Sequence, residues 1–355
     1  TDDHLIEKRI VLNRHWSNRR ISREDSRRPC NQHNDSEQRA HRVSILGGTA
    51  HGQAGAKAGI IDHHRNATDL MSSRLPLFIL CALLTGIGAP SAMAGSKPAP
   101  DLARHLTAIA ALAKTSPALP IPAGPFLIGS KRVDNDPYGL WTQFDDTELP
   151  QQRVWLDAYE IDRDEVSLAE YLAFLYTPTA FPPDELQKLI WHVITVHSVS
   201  DETLARWPAL YVTWPEADAF CRSHRSRLPT EAEWEKAARG ADGALFPWGE
   251  TAPESRLAMF GQHHVHEIPI LAAVDSHQDG RSPYGLHHMA GNVAEWVADW
   301  YGKSYYDTSP DSGESRVARG GSWDSPKYFL RAAFRDKYSP GDHYDYLGFR
   351  CSRSP

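Results

Sequence analysis

Apolar residues follow different rules in different parts of this chain. From Leu75 to Ile87 they form one nearly charge-free run. Between Asp101 and Lys114, after a Pro/Ser/Lys linker, they gather into an Ala/Leu-rich stretch that predicts a short helix. From Ala118 the texture breaks into short apolar runs, turns and aromatics. Three helix starts stand out there. Ser167-Leu-Ala-Glu170 precedes Tyr171, Leu172 and Leu175. Thr213-Trp-Pro-Glu216 leads into Ala217, Ala219, Phe220 and Cys221. Thr230-Glu-Ala-Glu233 leads into Trp234 and ends at Gly240. Each is a capping box: the hydroxyl serves the amide three residues on, and the glutamate returns to the cap amide. The remainder, Phe246 to Pro355, has no long period and no internal repeat. Its glycines permit backbone conformations that other residues resist, and its tryptophans fill a core that short strands leave thin. The pattern predicts a loop-rich α+β fold, one domain of about 235 residues with a single core.

The run from Leu75 to Ile87 changes the picture of the N-terminal part. The first methionine is Met71, Arg74 supplies a positive flank, and Ala92-Met93-Ala94 closes the run as a small-residue cleavage site. Met71 to Ala94 therefore predicts a signal peptide, with Gly95 as the mature N-terminus and a periplasmic or secreted destination. The run is too short to span a bilayer, so no stable membrane anchor is expected after cleavage. Cys81 lies inside the run, not after a lipobox at its end. Residues 1–70 are rich in Arg and His without an apolar period. They are expected to be upstream sequence brought in by a misplaced start, or an extension without a fold. Residues 95–117 are then a linker with a short helix, and 118–355 the domain.

The chain of 355 residues is 41% hydrophobic with a net charge of −7. Residues 95–355 alone carry −11, with no sustained basic stripe, so nucleic acid is not an expected partner. They keep two cysteines, Cys221 and Cys351. In an exported domain one disulfide is the simplest use of two cysteines; free thiols or a metal site are the alternatives.

Six motifs occur in order: Arg227-Leu-Pro-Thr-Glu-Ala-Glu-Trp-Glu235, Phe246-Pro-Trp-Gly249, Tyr284-Gly-Leu286, Gly291-Asn-Val-Ala-Glu-Trp296, Arg319-Gly-Gly-Ser-Trp323 and Leu347-Gly-Phe-Arg-Cys351. Together they resemble the sulfatase-modifying-factor family, whose best-known member is the formylglycine-generating enzyme. The resemblance covers roughly 118–355 and implies an elaborated C-type-lectin-like fold. It implies a disulfide between Cys221 and Cys351. It implies calcium held by the backbone oxygens of Gly291 and Val293 and the carboxylate of Glu295. The remaining ligand of that site, usually Asn or Asp, falls at His288. A second calcium site would need Asn where this chain has Met259, and is not expected.

The resemblance also implies what is missing. The formylglycine-generating enzyme binds copper(I) through two thiolates after Gly-Gly-Ser. Here that segment, Ser322 to Leu330, has no cysteine, nor has any position from 222 to 350. The Trp usual before Glu-Trp is Ala294. Formylglycine generation is therefore not expected. Ser322, Trp323, Ser325 and Arg335 are the candidates for lining the altered pocket. A copper or iron cofactor would lack a cysteine pair to hold it. Family relatives in thiohistidine sulfoxide synthesis use a three-histidine iron site, held largely by a separate helical-bundle domain that is not visible here.

Two further groups carry candidate chemistry. His263, His264 and His266, followed by Glu267, form a cluster that would suit a transition metal; surface histidines are the plainer reading. Arg319, Arg331, Arg335, Asp336, Asp342 and Asp345 either line a polar pocket or form a buried ion-pair network. The expected function is an exported family protein that assists or carries out maturation of another exported protein or peptide. If it is an enzyme, a diverged metal-dependent oxidase is expected. The alternative is a non-catalytic, calcium-braced module binding peptide, glycan or protein.

Overall fold

Helix α1 (Pro100–Ala110) opens with a proline at its start and Asp101 in its first turn, and buries Leu102, Leu106 and Ile109 along one stripe. It ends before the expected Lys114, because the next apolar residue, Leu112, is exposed and finds no core to join. The structure, a computed structural model, describes residues 95–131, 146–176, 180–266, 268–302 and 311–355. The expected extension 1–70, the signal segment 71–94 and Glu267 lie outside the described residues.

All three capping boxes start helices. Ser167 and Glu170 exchange bonds at the head of α2 (Leu168–Leu175). Glu216 accepts from the amide and hydroxyl of Thr213 ahead of α5 (Trp214–Ser223). Thr230 and Glu233 cap α6 (Glu231–Arg239), which Gly240 terminates with φ of 75°. Two further helices, like α1, begin without a box. These are α3 (Asp184–His197), which follows Pro183 and buries Leu186, Leu189, Ile190 and Val193, and α4 (Asp201–Ala205), capped by Ser200 alone.

The strands are short, as the broken texture predicts. β1 (Ala118–Ile121), β4 (Tyr159–Asp162) and β9 (Ser352–Arg353) form one antiparallel sheet in the order β1-β4-β9. β2 (Gly124–Ile128) and β3 (Gln152–Leu156) form a hairpin pair. The central sheet runs β7-β6-β5-β8 through Arg335–Tyr338, Arg316–Arg319, Ala294–Trp300 and Leu347–Phe349. β5 and β8 pair in parallel, bringing the end of the chain beside Glu295. The described residues thus form the expected loop-rich α+β fold.

One core cluster joins α1, α2, α3 and α5 to Trp296, Leu347 and Phe349. A second surrounds Trp234 with Ile121, Tyr159, Leu286 and Met289. The Arg316 guanidinium lies between Trp214 and Trp300, 3.7 and 3.5 Å from their ring centres, and ties α5 to the central sheet. Cys221 of α5 and Cys351 form the expected disulfide, closing 130 residues of chain. A covalent loop of that length removes much of the unfolded chain's freedom. Replacing both cysteines by serine is expected to lower unfolding stability by about 2–5 kcal/mol in a urea titration; an unchanged midpoint would show that the bond holds nothing.

Candidate functional site

The site is built round a buried ion pair. Arg350 is fully buried and donates to both oxygens of Glu295, at 2.6 and 2.7 Å. Its remaining N–H groups reach the carbonyls of Asp162, Arg163 and His287. The indole of Trp234 donates to the same carboxylate at 2.8 Å. A buried guanidinium satisfied in this way fastens the end of β4 and the loop at His287 to β5.

The Gly291-Asn292 turn sits against this pair. Gly291 has φ of 78°, and a Cβ there would lie 2.2 Å from the Met259 carbonyl oxygen, so only glycine fits. Asn292, with φ of 62°, accepts from the Ala272 amide and donates to Glu165 at 2.7 Å. Burial, and then the charge of Glu295, push the Glu165 carboxyl well above the carboxylate range. Its two oxygens accept from the Asn292 side chain and the Val293 amide, and so fix the turn.

The segment after Gly320-Gly321 folds down onto the same turn. The Trp323 amide donates to the Asn292 carbonyl, and the Trp323 side chain is fully buried. Ser322 Oγ donates to Asp324 at 2.6 Å, and Ser325 Oγ accepts from the Ser322 amide at 3.0 Å. Both serines therefore knit the turn. Beneath it lie three arginines whose charges are spoken for. Arg319 pairs with Glu235, Arg331 with Glu148, and Arg335 with Glu231. Arg319 also donates to the carbonyls of Ala332, Ala333 and Phe334. Arg335 is thus corrected from pocket lining to buried ion-pair network. Its bidentate carboxylate partner leaves it facing the protein interior.

Residues 108–355 match the sulfatase-modifying factor enzyme 1-like domain. The chain belongs to the sulfatase-modifying factor family. It is 29% identical over 288 residues to the formylglycine-generating enzyme of Mus musculus, a match covering 66% of this chain and 74% of that one. It is 35% identical over 223 residues to the serine/threonine-protein kinase pkn1 of Chlamydia pneumoniae, covering 58% of this chain and 35% of the kinase. Among solved structures, PvdO from Pseudomonas aeruginosa aligns at 22% identity and a TM-score of 0.49, over 68% of this chain and all of that one.

Two metals that the family implies can be tested against these residues. For copper(I), the required thiolates are missing: Ser322 and Ser325 offer hard oxygens, and the described cysteines are joined to each other. The residues do not fit copper(I). For calcium, His288, Gly291 and Val293 precede β5 and Glu295 lies within it, but the side-chain donors are wrong. Both oxygens of Glu295 already meet Arg350, and His288 brings an imidazole where six to eight oxygens are wanted. The residues do not fit calcium. His288 Nε2 meets the Ala273 carbonyl at 3.0 Å and Ser276 at 3.2 Å, and its Nδ1 is buried without a hydrogen-bond partner. Burial, and then neighbouring His277, push the ring's pKa down to about 3, so it stays neutral.

The three histidines of the sequence cluster do not converge. His263 is exposed. His264 meets Asp345 at 2.7 Å and stands edge-on to Trp323, 4.7 Å between ring centres. His266 turns the other way and stacks on His197 of α3 at 5.8 Å. As placed, no three His, Cys, Asp or Glu side chains among the described residues are close enough to hold a metal ion. Beyond His264 an aromatic surface opens. Tyr344 and Tyr346 stack at 4.9 Å and 5°, with Tyr338 beside both. Burial, then Tyr344, Asp324, Asp336 and Asp345, raise the Tyr346 phenol, which marks the surface as acidic.

A separate cavity of about 430 Å³ is lined by Ser116, Arg163, Asp164, Glu170, Arg206 and Asp275, among others. Two ion pairs, Arg163–Asp164 and Arg206–Asp275, lie in that lining. Sequence reasoning missed the carboxylate partners Glu148, Glu165 and Glu231, which lie 100 or more residues from the groups they serve. It also missed His192 and His197, because α3 starts without a side-chain cap to signal a helix.

His288 gives a test of the calcium question. Its folded pKa is below the ordinary histidine value, so the unfolded chain binds more protons between about pH 6.5 and 3. Stability from this group is full above pH 6.5 and is lost as pH falls toward 3. His288→Asn is expected to flatten the decline in melting temperature between pH 7 and 5. Added calcium should leave the parent's melting temperature unchanged. A calcium-induced rise in that temperature would instead mean that calcium does occupy the turn.

Proposed function

We propose that this chain is an exported member of the family that assists or carries out the maturation of another exported protein or peptide without generating formylglycine. The observation that carries this reading is the absence of any cysteine from 222 to 350, together with the Cys221–Cys351 disulfide. No thiol remains in the segment where copper(I) would be held. Export is supported by the charged flank, apolar run and small-residue site from Met71 to Ala94.

A second reading, a non-catalytic binding module for peptide, glycan or protein, is favoured by the stacked Tyr344 and Tyr346 beside Asp324, Asp336 and Asp345. Stacked tyrosines among carboxylates offer flat contact area and attract cationic groups. In this reading buried arginine–glutamate pairs brace the module in place of calcium.

The two readings part on turnover. Exported proteins from cells with and without this chain are compared by mass spectrometry. Maturation predicts a side-chain modification on one exported protein that disappears with the chain. A partner that is bound but chemically unchanged would favour the module. Conversion of cysteine to an aldehyde in a sulfatase-derived peptide incubated with the purified protein, copper and oxygen would overturn both.

A further inference from the structure

Three imidazoles meet at the C-terminal end of α3. His192 and His197 lie five residues apart on that helix, with ring centres separated by 5.4 Å. The Nε2 atoms of both are buried and have no hydrogen-bond partner. His266 completes the group, its ring centre 5.8 Å from that of His197. A cavity of about 460 Å³ opens between them, lined by His192, Val196, His197 and His266.

A buried ring nitrogen without a partner forfeits a hydrogen bond it would have made in water. Two such atoms in one place call for a shared partner. Two imidazoles bound through nitrogen to one ion, at about 2.0–2.1 Å in tetrahedral geometry, place their ring centres about 5 Å apart. Both separations are near that spacing. The location also suits a cation, because His197 is the last residue of α3, where the unpaired carbonyls of the helix end carry partial negative charge.

The third ring is held ready by its backbone. Val265 and Ile268 exchange two hydrogen bonds of 3.1 Å, and Ile268 is anchored in the core, so the turn carrying His266 is pinned on both sides. His266 itself is exposed, with φ of 52°. Its ring now stacks at 30° on His197, which is why the three do not yet converge on one point. The ring already lines the cavity, and a rotation of the side chain is the movement the site would require of it.

We propose that His192, His197 and His266 bind one imidazole-preferring divalent transition-metal ion at the end of α3. His192 and His197 supply the fixed ligands through Nε2, His266 swings in as the third, and a water or partner side chain takes the open position. The site is separate from the Ser322–Leu330 segment and does not depend on any reading of what that segment does.

The test uses the full chain without a polyhistidine tag, stripped by chelator. It is titrated with Zn²⁺ by calorimetry, and with Co²⁺ by its visible absorption. We expect one ion per chain with a Kd in the micromolar range or below. The expected weakening is at least tenfold in each of His192→Gln, His197→Gln and His266→Gln, with His263→Gln unchanged. Zinc binding that survives in the H192Q/H197Q double variant would overturn the proposal, as would no binding by the parent. If the helix variants fail to fold, the imidazole nitrogen resonances of the parent decide. Zinc must shift those of His192, His197 and His266, and a shift confined to other histidines would refute the site.

Discussion

The fold depends on the guanidinium of Arg350 being buried against Glu295. An arginine taken out of water is costly unless each N–H finds an oxygen, and here they find the carboxylate and the carbonyls of Asp162, Arg163 and His287. The segments that follow β4 and precede β5 have little regular structure of their own. The arginine therefore does for them what ladders of backbone bonds do in a sheet: it fixes their relative positions with directional bonds in a dry interior. The next residue, Cys351, fastens the same point covalently to α5.

The same device recurs around the segment where the family's enzyme would hold its metal. Arg319, Arg331 and Arg335 reach Glu235, Glu148 and Glu231, contributed by α6 and by the loop before β3. Helix α6 is unusual in burying Glu231, Glu233, Glu235, Lys236 and Arg239 along with its alanines and tryptophan. Its charges face other elements because the loops they brace lie on all sides of it. Within that scaffold Ser322 to Leu330 carries no thiol, and its Trp323 amide closes over the Asn292 carbonyl.

Much of this was open to reading in the residues, for identifiable reasons. The helix starts at Ser167, Thr213 and Thr230 are local signals, four residues long, and each starts a helix. The glycine at 291 is only half local: its positive φ belongs to the turn, but the carbonyl of Met259 that excludes a Cβ comes from a distant part of the chain. Helix α3 escaped because its start carries no side-chain cap, only Pro183 and two acidic residues. With it went His192 and His197, so the sequence cluster His263, His264 and His266 read as one group when the fold sends its members in opposite directions. The arginines were legible as charges but not as pairs. Their partners lie far away in sequence, and no spacing rule joins Arg331 to Glu148 across 183 residues.

Arg350 occupies both oxygens of Glu295 in place of an ion. A double-mutant cycle in chelator-treated protein, with Glu295→Gln, Arg350→Met and the pair, tests it most directly by urea unfolding. Each single change should cost about 3 kcal/mol or more, with a coupling between them of about 2 kcal/mol. A coupling near zero, or a parent protein that unfolds once divalent ions are removed, would contradict the account.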